Sequence, residues 1–465
     1  MSHEETPIEI LCEIFGLLCE ESIAIHVLDK RSRFNGFPWA AGQVCRRWRE
    51  AFLSYPRLWT SLSLKYTYIW CYDADPHGFA EMNRRTILYL ERSGQLPLTI
   101  TVYILAHMRT AKIKHFPRAV WKSLLSCSDR WKKAQVVLGN EPGMVNDLLE
   151  CRNQISKLES MDLYIDPIIT ECKPQDSAFV VAPRLTELKL LPHSRWVFPW
   201  SQLKKLHIEI DNAEAILSQV QNVEELWITH CVRLTLPNFN PSSAIRLPHL
   251  RFFEVPVVCY HRIFDWFEMP LLEHLCVYDR MKSFHFPEQW KAEIASSINR
   301  SACRIRCLTL KFCRGEVVHD ITETLAASIE RLCIKHPFRK TVPPLIQLIA
   351  DSNGVYLPNL QELEVICCPG QAVSKGFLPT IFHLLKAQLA LTGHGVAPLK
   401  SVTVRLDLSD SCNDDAFCYM DHELNDERRI KILDKVVEMM RSWSSVADIS
   451  FGETHSQISI KPYSW

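Results

Sequence analysis

A loose Leu-x-x-Leu-x-Leu pattern recurs along the chain, beginning at Leu158, Leu185, Leu203, Val223, Leu250, Leu272, Ile305, Ile329, Leu360, Leu399 and Val446. The count alone decides little, because chance placement in a sequence this aliphatic gives on the order of a dozen matches. Residues at fixed offsets decide more. Proline lies two residues before the first apolar position at Pro183, Pro248, Pro270 and Pro358, and cysteine eight residues after it at Cys231, Cys313 and Cys368. Random placement would put roughly one proline and less than one cysteine at those offsets.

The alternation predicts a short strand with its leucines pointing inward, followed by a turn whose cysteine also faces the core. That is the layout of a leucine-rich repeat. Amphipathic helical stretches fall between strands, for example over 79–93, 116–129, 213–221 and 378–391. Short strands alternating with helices argue for an α/β chain whose parallel sheet is curved into a solenoid. The interval runs from 18 residues (Leu185 to Leu203) to 47 (Leu399 to Val446), so the array is irregular. Strand-like pieces at 96–104 and 134–138 carry degenerate repeats back towards Trp59, and a helix over 426–443 with a last strand near Ile449 is expected to close the far end. The predicted organisation is a helical module over 1–60, degenerate first repeats with helices over 61–157, and a leucine-rich-repeat-like solenoid over 158–465.

Composition narrows the function classes. The 465 residues carry 53 basic and 53 acidic side chains, and a neutral chain is a poor general binder of nucleic acid or acidic membranes. There are only 14 glycines, none between Gly143 and Gly315, so the middle of the chain cannot supply the close backbone approach of a phosphate loop. The 18 cysteines accompany an acidic amino end without a basic-then-apolar leader, and no apolar run reaches the ~20 residues of a membrane span. A soluble protein of the cytoplasm, the nucleus or both is expected, its thiols mostly free.

At the amino end, Thr6-Pro7-Ile8-Glu9 reads as a capping box opening a helix whose broad apolar face holds Ile10, Leu11, Ile14, Phe15, Leu17 and Leu18. A less regular stretch follows over 20–38. A second helix is predicted from Trp39 to Leu53, with the stripe Ala41, Val44, Cys45, Trp48 and Phe52. Helices this apolar cannot bury themselves in sixty residues; they need a partner surface on this chain or another. The ordered pieces 6–15, 44–49 (VCRRWR) and 56–59 (PRLW) resemble an F-box, most nearly the F-box-like type abundant in basidiomycete fungi, over roughly 6–64. The resemblance implies a three-helix module that docks on the Skp-type adaptor, and through it a cullin, of a ubiquitin ligase. It assigns adaptor contact to Pro7, Ile8, Ile10, Leu11, Ile14, Phe15, Val44, Cys45 and Trp48. Thr6 stands where the family usually has Leu, and the 20–38 stretch is longer than a compact F-box requires. The alternative is that these helices only cap the array.

On the repeats, the side chain between the two strand leucines is expected on the concave face, giving the row Lys189, His207, Trp227, Glu254, Cys276, Thr309, Cys333, Glu364 and Thr403. His207, Trp227 and Glu254 are the candidate target contacts, with Trp227 as the anchor. No catalytic motif stands out. There is no His-Glu-x-x-His helix, nucleophile elbow or phosphate loop, and Cys303, Cys307 and Cys313 lack the paired spacing of structural zinc. Neither a cofactor nor a metal is expected. The function expected is a non-catalytic substrate receptor of an SCF-type ubiquitin ligase, or else a leucine-rich-repeat scaffold that engages no ligase.

Overall fold

The computed structural model describes residues 6–18, 23–26, 41–67, 76–105, 117–139, 142–165, 178–191, 196–209, 216–229, 244–256, 263–279, 289–313, 315–336, 342–352, 355–367, 380–381, 383–384, 399–406, 447–451 and 457–462. The chain is α/β, with N-terminal helices followed by a parallel sheet of strands taken in chain order, consistent with a leucine-rich-repeat-like solenoid. It divides into two compact units, Met1–Val223 and Glu224–Trp465.

In the first unit, helix α1 (Ile8–Leu18) opens with the Pro7 carbonyl accepting the Leu11 N–H at 3.1 Å. The predicted helix from Trp39 to Leu53 is two helices among its described residues, α2 (Ala41–Val44) and α3 (Arg46–Ser54). They are divided at Cys45, which is extended (φ −156°, ψ 172°) and whose thiol accepts the Trp48 N–H at 3.4 Å, so it caps α3 rather than continuing a helix. Arg49 Nε closes the corner on the Gly42 carbonyl at 2.8 Å. Gly42 packs closely there: a Cβ at this position would meet Phe52 Cδ1 at 3.1 Å, so the ring would have to shift to admit a larger residue.

Strand β1 (Ile23–His26) comes from the stretch read as irregular, and pairs in parallel with β2 (Ser61–Thr67), Ile23 opposite Leu62. Next in order come helix α4 (Pro76–Arg92) and β3 (Leu98–Leu105), then α5 (Arg118–Leu125) and β4 (Trp131–Leu138). Helix α6 (Pro142–Asp147) precedes β5 (Ser160–Ile165), which is followed by β6 (Glu187–Leu191) and β7 (Lys205–Glu209). Each strand pairs in parallel with the next, so that Leu62, Ile100, Ala134, Met161, Leu188 and Leu206 lie in one inward row.

The second unit repeats the scheme. Strands β8 (Glu225–Thr229), β10 (Phe252–Pro256), β12 (His274–Tyr278), β13 (Cys307–Lys311), β14 (Arg331–Lys335), β15 (Glu362–Cys367) and β16 (Ser401–Leu406) form a parallel run. Two-residue strands β9 (Ile245–Arg246) and β11 (Phe267–Glu268) pair separately. Helices α7 (Gln289–Ser301), α8 (Gly315–Leu325) and α9 (Val342–Asp351) form the return segments before β13, β14 and β15. Two strands end the unit: β17 (Ala447–Phe451), the strand expected near Ile449, and β18 (Gln457–Pro462). β18 runs antiparallel to both β16 and β17, so the parallel run finishes in an antiparallel ribbon.

The sequence pattern has a direct physical basis here. Each parallel strand from β5 onward begins two residues after the first apolar residue of its motif, as at Leu185 and β6 or Leu360 and β15. All three apolar positions are buried in every such repeat, for example Leu272, Leu275 and Val277. Before the strand, the N–H of the first apolar residue closes a turn on the carbonyl three residues back: Leu185 to Ala182 at 3.1 Å, Leu250 to Leu247 at 3.3 Å, Leu272 to Met269 at 3.2 Å, Leu360 to Leu357 at 3.1 Å. Pro183, Pro248, Pro270 and Pro358 are therefore the second residues of these turns, where a fixed φ costs nothing and no N–H is needed. One carbonyl per repeat then accepts two successive N–H groups of the next repeat, as Glu330 does from Gln361 (2.8 Å) and Glu362 (3.1 Å). Cys313 sits inward as expected, its thiol donating to the Val277 carbonyl at 3.6 Å and the Lys311 carbonyl at 3.3 Å. Cys231 and Cys368, most of the predicted helix over 378–391 and all of that over 426–443 lie outside the described residues.

Candidate functional site

Helix α1 carries apolar side chains on two opposite sides. Leu11, Cys12 and Phe15 face inward and are buried, with the Phe15 ring against Trp48 at 5.1 Å and the Cys12 thiol directed at the Ala51 carbonyl of α3 at 3.9 Å. On the other side Ile10, Ile14 and Leu17, spaced four and three residues apart, form one stripe that is 51%, 41% and 69% exposed. Ile8 and Val44 are exposed as well, and Pro7 lies at the exposed start of the helix. Of the residues assigned to adaptor contact, Pro7, Ile8, Ile10, Ile14 and Val44 thus face outward. Cys45 and Trp48 are half-buried, and Leu11 and Phe15 are inside. Leu17 belongs to the outward stripe although the resemblance did not assign it; its signal was the 10-14-17 spacing.

The same module is tied to the first repeats from below. Trp59 is buried between Phe52 (4.7 Å between ring centroids) and Tyr89 of α4 (4.8 Å), and its Nε1 donates to the Phe52 carbonyl at 3.1 Å. The Arg92 guanidinium lies over the indole at 4.6 Å.

The second candidate surface is the sheet face. In the second unit Trp227, Glu254, Cys276, Thr309, Cys333, Glu364 and Thr403 are register partners in one row, as the alternation predicted. Trp227 and Glu254 are direct partners on adjacent strands. His207 belongs to the first unit, where its partner is Lys189, which bonds Asp162 at 3.2 Å. The middle of the row is not open: Cys276, Thr309 and Cys333 are buried, because long neighbours lean over them. Lys311 reaches past β12 to Glu254 at 2.7 Å, and the Cys333 thiol donates to Glu364 at 3.2 Å. Trp227 lies tilted against Phe252 with ring centroids 5.0 Å apart, and the Phe252 ring meets His274 edge-on at 4.7 Å. His274 Nε2 bonds the Thr309 hydroxyl at 2.9 Å. Burial, then the cations Lys335, Arg331 and Lys311, hold the His274 imidazole down to about 4, so it is neutral at physiological pH. Burial pushes the Cys333 thiol up to about 12 and Cys276 higher still, so neither is a nucleophile.

Among the described residues, the one trio of metal-capable groups within 4.8 Å of each other is His319, Asp320 and Glu323 on α8. His319 and Glu323 are exposed and Asp320 half-buried, and Glu323 is bonded to Lys291 at 2.6 Å, which already supplies its countercharge. No helix among the described residues is long and apolar enough to cross a membrane.

No protein-family profile matches the chain, and no curated protein is similar to it. Among solved structures it is similar to a structural-genomics target protein from Bacteroides fragilis, at 13% identity over 52% of this chain and 61% of that one, with a TM-score of 0.28. A superposition that loose carries no argument; strand order, register and burial are what define the molecule as a repeat-like parallel-sheet scaffold.

Proposed function

We propose that this chain is the substrate-receptor subunit of a cullin-based, SCF-type ubiquitin ligase. A Skp-type adaptor docks on the outer stripe of α1 and neighbouring α2, and a target protein on the polar sheet face. The subunit makes no covalent intermediate; holding a target near a charged ubiquitin carrier raises its effective concentration. The observation that carries the reading is the two-sided apolarity of α1. A helix serving only as a lid needs one apolar face, and leaving Ile10, Ile14 and Leu17 in water has no benefit unless another surface covers them.

A second reading, a protein-binding scaffold that uses the same helices as an end cap, is favoured by the contact of Trp59 with Tyr89 and Arg92. The two readings use opposite faces of the module, so they are separable by experiment. Affinity purification of the tagged full chain from its native organism should recover adaptor and cullin, and Ile14→Asp should lose both while the chain stays folded. Recovery of neither with the unaltered chain would leave the scaffold reading standing.

A further inference from the structure

We propose that the sheet face of the second unit takes an extended segment bearing a single carboxylate, which seats on Lys335, and a bulky apolar side chain about six residues away lying on Trp227 and Phe252. This deepens the target-binding half of the proposed function and rests on it.

The argument starts from an imbalance in the outer row. Lys311 and Lys335 are direct register partners on β13 and β14, with both side chains on the same face. Like charges directly opposite one another on adjacent strands are destabilising. Lys311 is relieved by Glu254 at 2.7 Å, while Arg331 is paired with Glu362 and Arg405 with Glu364 at 2.9 Å. Lys335 has no ion-pair partner among the described residues; its neighbour in register on β15 is Ile366. Thr309 and Cys333, beside it in the central row, are buried, so an incoming segment crosses above them and its carboxylate meets the half-exposed Lys335 from the solvent side. His274, held neutral first by burial, is lowered further by Lys335, Arg331 and Lys311, which lie near it on the same face.

The partner's second feature follows from β8 and β10, where the half-buried Trp227 and Phe252 offer adjoining aromatic surface. From β8 to β14 there are four strand steps (β10, β12, β13, β14). At about 4.8 Å each that is about 19 Å, the reach of roughly six residues of extended chain. A nucleic acid does not fit, because Glu254, Glu362 and Glu364 stand on the same face and would repel a continuous polyanion.

The test uses the full chain and fluorescein-labelled peptides of the form Trp-spacer-Glu, with Gly/Ser spacers of about two, five or nine residues, read by fluorescence anisotropy. The five-residue spacer should bind best. Lys335→Glu should weaken it about tenfold and strengthen the matching Trp-spacer-Lys peptide, and Trp227→Ala should weaken both. The charge-swapped peptide guards against misfolding, since a misfolded chain would gain no binding. Affinity independent of spacer length, no response of either peptide to Lys335→Glu, or no binding up to about 1 mM would overturn the inference. Adaptor titration of the same samples separates the outcomes: peptide binding lost with adaptor binding intact counts against this surface alone.

Discussion

Replacing Trp59 with alanine should uncouple the N-terminal helices from the first repeats. Trp59 is 1% exposed and occupies the first apolar position of the repeat containing β2. Its loss removes two aromatic contacts near 4.7 and 4.8 Å, the cation stacked at 4.6 Å, and the hydrogen bond to the Phe52 carbonyl. Large-to-small changes at buried aromatic sites cost about 3–5 kcal/mol, and a stacked cation adds ~0.5–1 kcal/mol. A local loss of about 4 kcal/mol corresponds to a thousandfold rise in the opening equilibrium. Trp59→Phe keeps most of the burial and loses chiefly the hydrogen bond, about 1–2 kcal/mol. Amide hydrogen exchange read by mass spectrometry should show β2, α3 and α4 exchanging up to a thousandfold faster in the alanine variant, with β6 and β7 protected as before, because repeat stability is carried by nearest neighbours. Unchanged protection of β2 and α4 would refute the coupling. Equal loss across β6 and β7 would refute its locality.

Further expectations concern burial and charge. Cys151, pushed up to about 12 by burial, and the fully enclosed Cys313 should resist iodoacetamide at pH 8 in the folded chain and react once it is unfolded, which peptide mapping would resolve. The folded-state pKa of His274 lies below its unfolded value, so the unfolded chain binds the proton more readily. Stability should therefore fall as pH drops from about 6.5 towards about 4, and His274→Gln should flatten that limb of a urea-midpoint profile. A profile identical in both proteins would show that the imidazole is not held neutral.

Much of the repeat region is legible in the sequence because one geometric rule governs it. The inward alternation fixes where each parallel strand starts, and the turn before it explains the prolines at 183, 248, 270 and 358. The row containing Trp227 and Glu254 follows from the same alternation, but the burial of Cys276, Thr309 and Cys333 does not. That burial depends on side chains such as Lys311 leaning across a neighbouring strand, which spacing along one strand cannot reveal. The break at Cys45 was hidden because cysteine is not among the usual capping residues, and the apolar stripe continues across it. Strand β1 escaped notice for a different reason: four residues, Ile-Ala-Ile-His, are too few for periodicity to register. At α1 the sequence displays a broad apolar face, and only packing separates the inward Leu11 and Phe15 from the outward Ile10, Ile14 and Leu17.

The account turns on whether that outward stripe is meant for another protein. Ile10, Ile14 and Leu17 together leave about one and a half side chains of apolar surface in water, worth ~3 kcal/mol if a partner covers them, or roughly 150-fold in Kd. The combined Ile10→Ala, Ile14→Ala and Leu17→Ala variant should keep its Tm, since alanine is the best helix former and the sites are exposed. Titration of both proteins against a purified Skp-type adaptor by calorimetry is the direct measurement. Binding by the unaltered chain that falls by about two orders of magnitude in the variant is the predicted result; equal affinities in the two proteins, or no binding by either, would contradict it.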